Sequence, residues 1–253
     1  MAKRSGLGSG LIVGVYDISG DIGSLSSINS TREVLDVTGI DKSAPEKIMG
    51  RKDGALTFLS FWNTTPGQAH PVLSALPTTN VQVTYIGGTT LGEVAASMMA
   101  KQTNYAPSLG ANGSLTATTN AVANGYGLEW GELLTTGKQT FAGGTALGTT
   151  FGTAIDLVTA YGTGFGTTTS FGAAAYAHDI SIASGTATVF IQDSADGTAF
   201  TTLTGMTFTA ASAAGTERIQ GATNATVKEF VRVGVSGVYT NLVSLVNFVR
   251  YFE

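Results

Sequence analysis

Cysteine is absent from the 253-residue chain. That excludes disulfides and thiolate metal ligands. Charge is scarce: Asp, Glu, Lys and Arg make up 12% of the residues, against roughly a quarter in an ordinary globular protein. There are only two histidines, His70 and His178, so candidates for proton transfer near neutral pH are few. No run approaches the ~18 apolar residues of a membrane helix. Lys3 and Arg4 are followed by Gly and Ser rather than by the apolar core of a secretory signal. The default expectation is a soluble protein, made in the cytoplasm and not inserted in a membrane. The net charge is −4 with a pI near 5.2 and no basic stripe, so sequence-independent phosphate binding has little support.

What is abundant is small and apolar. Hydrophobic residues reach 43% and glycine numbers 34, with Thr, Ala and Ser filling most of the second half. Few charges on many small residues fit a surface covered by oligomer contacts, since charge is depleted at interface cores. A β-rich domain with Thr on its wet faces is the alternative. The length suits two domains or one large β domain.

Short β-branched and aromatic runs dominate, and the pattern predicts a mainly β fold. The stretch Arg32 to Asn63 stands out. Val34, Leu35, Val37 and Ile40 form one strand; Leu56, Phe58, Leu59, Phe61 and Trp62 form another. The loop expected between them spans Asp41 to Asp53 and carries Asp41, Lys42, Glu46, Lys47, Arg51, Lys52 and Asp53. A mixed-charge loop on a rigid strand pair suits a partner surface; a solvated hairpin tip is the plain alternative. Residues 1 to 10 read as a flexible arm, and the Gly/Ser-rich Ile18 to Asn29 reads as loop. Leu11 to Asp17 reads as one short strand. Asn63 to Thr79 is the clearest helix, with Thr64 or Thr65 as cap and Pro66 at its first position. Asn80 to Ile86 alternates as a half-buried strand. Glu93 to Asn104 is ambiguous and is assigned to strand. Thr135 to Thr150 has no strong pattern and is read as the linker region. Short strands separated by turns then run to the end, as in a sandwich or jelly roll.

No catalytic constellation emerges. His178 precedes Asp179 without a nucleophile-elbow sequence, and a satisfied or surface histidine is the better reading. Asp193-Ser-Ala-Asp196-Gly197 resembles a calcium-loop fragment but lacks the further ligands; a glycine-terminated turn explains it. No cofactor, metal site or enzymatic activity is expected.

Several segments in order resemble the major tail protein of long-tailed (siphovirus-type) bacteriophages, in the form with an extra C-terminal domain. The carriers are Tyr16-Asp17-Ile18-Ser19-Gly20-Asp21, Leu35 to Ile40, Arg51-Lys52-Asp53-Gly54, and Trp130-Gly131 with Leu133 to Lys138. Further on they are Ala187-Thr188-Val189, Gln192 to Gly197, Phe200, Glu217-Arg218-Ile219 and Phe230 to Val233. The resemblance implies a tail-tube β-sandwich or barrel with one flanking short helix over 1–140. It implies a linker over 141–150 and an immunoglobulin-like or jelly-roll β-sandwich that decorates the tube over 151–253. It further implies hexameric rings stacked into the hollow tail tube of a virion, through which DNA passes without specific binding during genome ejection. The charged loop would make the ring-to-ring contact. Partners would be other copies of the chain, a tape-measure protein in the lumen, and tail terminator and distal tail proteins at the ends. The alternative is a carbohydrate-binding adhesion module, with Tyr161, Phe165, Phe171 and Tyr239 as candidate sugar platforms.

Overall fold

The computed structural model describes residues 5–144, 148–162 and 172–251, residue 161 by its backbone alone. The protein is mainly β, with antiparallel sheets and, among the described residues, two short α-helices. In chain order the strands are β1 (Gly10–Val13), β2 (Tyr16–Asp17), β3 (Ile22–Asp36), β4 (Lys47–Phe61), β5 (Val81–Ile86), β6 (Val94–Leu109), β7 (Leu115–Ala123) and β8 (Glu129–Leu133). There follow β9 (Gln139–Ala142), β10 (Gly148–Phe151), β11 (Ile155–Asp156), β12 (Ala173–Ile182), β13 (Gly185–Ser194), β14 (Thr201–Thr207), β15 (Gly215–Gln220), β16 (Phe230–Tyr239) and β17 (Asn241–Arg250). The helices are α1 (Ala69–Leu73) and α2 (Leu157–Tyr161).

Contacts divide the chain into two compact units that do not follow chain order. One holds Met1–Asp17, Thr84–Ser97 and Trp130–Glu253; the other holds Ile18–Val83 and Met98–Glu129.

The first unit contains a two-sheet sandwich. One sheet places β12 between β15 and β17, and β17 also pairs with β8 and β9. The other runs β10-β16-β13-β14, with β11 also on β16. Alternation builds the core between them. Val231, Val233 and Val235 of β16 point inward with Val189 and Ile191 of β13, against Ala173, Ala175 and Ala177 of β12 and Val246 and Phe248 of β17. The alanine row on β12 leaves room for the larger side chains opposite, as dense packing requires. Phe141 lies in this core with 1% exposure. The segment 141–150, expected as linker, therefore includes the end of β9 and part of β10 among its described residues. Leu11 to Asp17 is two strands, because Gly14 at φ +58° turns the chain between β1 and β2.

A buried polar chain also lies in this unit. His178 Nδ1 is 2.6 Å from Gly14 O, and its Nε2 is 2.7 Å from Thr84 Oγ1. Thr84 Oγ1 is 2.7 Å from Ser97 Oγ, which accepts from Asn247 Nδ2 at 2.7 Å. His178, Thr84, Ser97 and Asn247 are all fully buried.

In the second unit β3, β4, β7 and β6 pair in that order, the last through Ala100–Leu109. Leu56 and Phe58 of β4 are buried, as are Ala117 and Ala121 of β7. The helix expected over Asn63 to Thr79 shrinks to the five residues of α1. Its N-cap is Gln68, which offers no side-chain bond, and Pro66 stands in the turn before it. The missing cap comes from far away in sequence. Asp21, 7% exposed, accepts from Ala69 N at 2.9 Å and Asn63 Nδ2 at 2.8 Å. Asp21→Ala leaves both donors without that acceptor and is expected to cost about 1–3 kcal/mol, read by urea unfolding followed through Trp62 fluorescence. Unchanged unfolding would rule out the remote cap.

Candidate interaction surface

The β3–β4 hairpin is the most exposed long element of the second unit. The two strands are 15 residues each and pair from Ile22↔Ser60 to Asp36↔Lys47. Among the described residues β3 pairs with no strand other than β4, which leaves its other edge open. Ile18 to Asn29, expected as loop, is mostly strand. Register shifts between Ile22 and Ser24 and between Leu25 and Ser27 insert extra residues. The half-buried positions Ile22, Leu25 and Ile28 therefore recur every three residues rather than every two. Bulges of this kind hide a strand from a period-2 reading.

The expected loop is also shorter than its sequence span. β4 begins at Lys47, so Asp41, Lys42 and Glu46 lie in the connection while Lys47, Arg51, Lys52 and Asp53 lie on the strand. Both faces of this end of β4 are wet, so no alternation marked it as strand. The connection is held locally. Asp36 Oδ1 accepts from Thr38 N at 2.9 Å and Thr38 Oγ1 at 2.5 Å. Those bonds hold its carboxyl below the usual carboxylate range, the hydroxyl first and the amide second. Lys42 Nζ and Glu46 Oε1 pair at 3.2 Å, both exposed, an interaction of little net stabilising value.

The charged residues divide into two groups. Arg51, Lys52 and Asp53 line one depression with Thr31, Arg32 and Glu33. Toward the tip exposed apolar side chains stand among the charged ones. Val34, Val37, Ile48 and Met49 are about half exposed or more, and Ile40 is fully exposed. Isolated surface apolar residues are ordinary, but a cluster on one element marks an interaction surface. The expected strand over Val34, Leu35, Val37 and Ile40 ends at Asp36, so Val37 and Ile40 lie in the connection; their exposure has no sequence signal, because burial depends on what packs above a segment.

The other expected features resolve without chemistry. His70 stacks on Trp62 with ring centroids 3.9 Å apart, and its Nδ1 is 2.9 Å from Tyr105 Oη. Asp196 Oδ1 accepts from Ser194 Oγ, Thr198 N and Ala199 N, and Gly197 sits at φ +70°. The Ala199 and Thr198 amides, then the Ser194 hydroxyl, pull this carboxyl far below its ordinary value, so its charge is already answered by the turn. No group of three or more His, Asp or Glu that could hold a metal occurs among the described residues. No helix among them is long and apolar enough to cross a membrane. Of the candidate sugar platforms, Tyr239 is buried at 3% exposure and cannot serve. The Tyr161 side chain, Phe165 and Phe171 lie outside the described residues.

No family model and no curated protein matches the chain. Similar solved structures include a component of the virion of a native gene transfer agent particle, at 12% identity and TM-score 0.39, covering 51% of this chain and 98% of that one. The SPP1 Dit protein, described as part of a hub adsorption apparatus of phages infecting Gram-positive bacteria, is 9% identical at TM-score 0.32, covering 96% and 99%. A chain of the phage p2 baseplate in its activated conformation with strontium is 10% identical at TM-score 0.32, covering 96% and 98%. At such identities and scores these likenesses carry no argument about activity.

Proposed function

We propose that the chain is a structural virion protein, a tail-tube subunit whose copies close into hexameric rings and stack into a hollow conduit for DNA. The observation that supports this reading best is the β3–β4 hairpin. It offers an open strand edge and a tip where exposed apolar and charged side chains are mixed. An unpaired edge of this length is an aggregation hazard unless another chain covers it. A head-to-tail contact between identical copies covers it and propagates into a ring or filament. Asp41, Lys42, Glu46, Lys47, Arg51, Lys52 and Asp53 would set register between rings, which charge pairs do better than they add affinity. The low charge content and the acidic balance suit passage of DNA without retention. In this reading the second unit, Ile18–Val83 with Met98–Glu129, supplies the ring contact through its hairpin. A tape-measure protein occupies the lumen during assembly, and terminator and distal proteins close the ends.

Negative-stain electron microscopy over a concentration series tests the reading. Regular hollow tubes or stacked rings are the expected result, and uniform single particles at every concentration count against it. Reversing Lys47, Arg51 and Lys52 together to Glu is expected to shorten or abolish the tubes while leaving the monomer folded, since all three side chains are exposed. Tubes of unchanged length would remove these residues from the contact. A second reading, adhesion to a saccharide by the sandwich, is favoured by an aromatic and cationic face on β13 and β16.

A further inference from the structure

The outward face of the five-stranded sheet carries an arginine with no countercharge. Val231 and Val233 of β16 point into the core, so Arg232 between them points out. Its Cζ lies 4.0 Å from the Phe151 ring centroid and 3.9 Å from that of Phe200. Two rings at stacking distance from one planar group occupy its two faces. Phe190 and Phe151 meet edge to face at 6.3 Å beneath the stack. They pack over Gly234, where a Cβ would lie 2.5 Å from the Phe190 ring. Gln192, directly opposite Arg232 in the sheet, accepts from Arg232 Nε at 3.0 Å and Nη2 at 2.7 Å through the same Oε1. That uses one edge of the guanidinium. Nη1 donates to nothing among the described residues, and no carboxylate there pairs with Arg232. The nearby acids are engaged elsewhere. Asp193 accepts from Lys228 N at 3.0 Å and faces Lys228 Nζ at 3.5 Å, and Asp196 is saturated by its own turn.

A guanidinium clamped between rings has lost much of its water. Desolvation lowers its pKa from the ordinary arginine value, although a stacked guanidinium stays charged at any physiological pH. The free edge is therefore a preorganised, water-poor cation that lacks an anion. Fork geometry suits a planar carboxylate, which can lie coplanar with the guanidinium and accept two parallel bonds. The slot between two rings favours that flat group over a tetrahedral phosphate. The walls are aromatic, with Phe151 still 44% exposed; such walls take the C–H faces of a sugar ring, while the Gln192 amide can meet hydroxyls. The patch is a few residues wide, well short of the ~800 Å² per partner of a stable protein interface.

We propose that Arg232, framed by Phe151, Phe200 and Gln192, is a binding site for the carboxylate of an acidic saccharide such as a uronate unit of a surface polysaccharide. The inference rests on the saccharide-adhesion reading and is independent of tube assembly.

Affinity electrophoresis of the full chain through gels containing polygalacturonate, dextran or poly-L-glutamate tests it. Retardation by polygalacturonate and none by dextran is expected. Arg232→Gln should weaken binding about tenfold or more, the effect of losing a charge-assisted bidentate contact. Arg232→Lys should recover only part of it, because a point charge lacks the fork. Gln192→Glu is the third variant. It places a carboxylate on the arginine and should abolish retardation with melting temperature equal to or above that of the parent. Absence of retardation by polygalacturonate, or retardation of the Arg232→Gln and Gln192→Glu variants equal to that of the parent, would overturn the site. Retardation by poly-L-glutamate as strong as by polygalacturonate would overturn the saccharide and point to an acidic peptide. All three variants should form tubes as the parent does in electron microscopy, so failure here and failure of the tube reading are separate results.

Discussion

Lowering the pH from 6.5 to 4 is expected to remove about 3 kcal/mol of folding stability through His178 alone. Burial pushes this imidazole down to about 4 from its ordinary 6.5, opposed only by its bond to Gly14. The hydrogen-bond chain gives the reason a polar description. Gly14 O can only accept, so Nδ1 carries the proton. Nε2 then accepts from the Thr84 hydroxyl, Thr84 accepts from Ser97, and Ser97 accepts from the Asn247 amide. Every bond runs one way. A second proton on Nε2 would meet the Thr84 hydroxyl proton, which must then turn away and lose its acceptor. The sign follows from the shift. Below pH 6.5 the unfolded chain takes up a proton that the folded one refuses until about pH 4, so stability falls as pH falls through that interval. Asp179 works the other way: burial raises its carboxyl first, with the nearby Ser244 hydroxyl opposing and Glu217 adding to the rise. Its uptake of a proton favours the folded state in acid. Urea unfolding at pH 7 and pH 4 should therefore be run on the parent and on His178→Gln, and the difference of differences read. The parent should lose about 3 kcal/mol more than the variant between the two pH values. Equal losses would mean that His178 is not held neutral.

Gly131→Ala is expected to destabilise the first unit by roughly 2–4 kcal/mol, the range for forcing atoms into a closed backbone contact. A Cβ at this position would stand 2.1 Å from Phe248 O and 2.7 Å from Phe248 C. Those are backbone atoms of β17, paired with β8 at Asn247↔Leu133 and Phe248↔Glu132. No rotamer change relieves such a clash; the strands must part. Parting them loosens Leu133 from Ile12, Ile86, Ala95 and Leu245, with which it shares a small core. Gly144→Ala is the control: nothing lies within 4 Å of its Cβ and its φ is not positive. It should stay within about 0.5 kcal/mol of the parent. Thermal unfolding by circular dichroism separates the two, and equal melting temperatures would show that β8 can move away from β17 at little cost.

Local chemistry made much of this legible in sequence. Val231, Val233 and Val235 alternate with Arg232 and Gly234 in the sequence, the pattern of a strand with one buried face, and the three valines are core. Glycine and aspartate chemistry marked the Asp193 to Gly197 turn, and Asp196 organises it. The assignment of Glu93 to Asn104 to strand holds within β6. Failures came where periodicity was disturbed or where a partner lay far away in sequence. Bulges broke the period of β3. The expected α1 cap at Thr64 or Thr65 gave way to Asp21, more than 40 residues earlier. Nothing near Phe151 hinted that it would stack on Arg232, since the pair meets only when β10 lies beside β16.

The sequence by itself determined the class: β-branched runs cut by glycine turns, no cysteine, little charge, and therefore β-sheets with soft, weakly charged surfaces. Only the tertiary structure decided which surfaces stay open. Burial is a property of what packs against a strand, not of the strand. Val34 on β3 and Ile40 in the connection after it are as apolar as Val231 yet face water, because among the described residues β3 is an edge strand and neither side chain is covered. The same logic left Arg232 with rings on both faces and no acid on its edge.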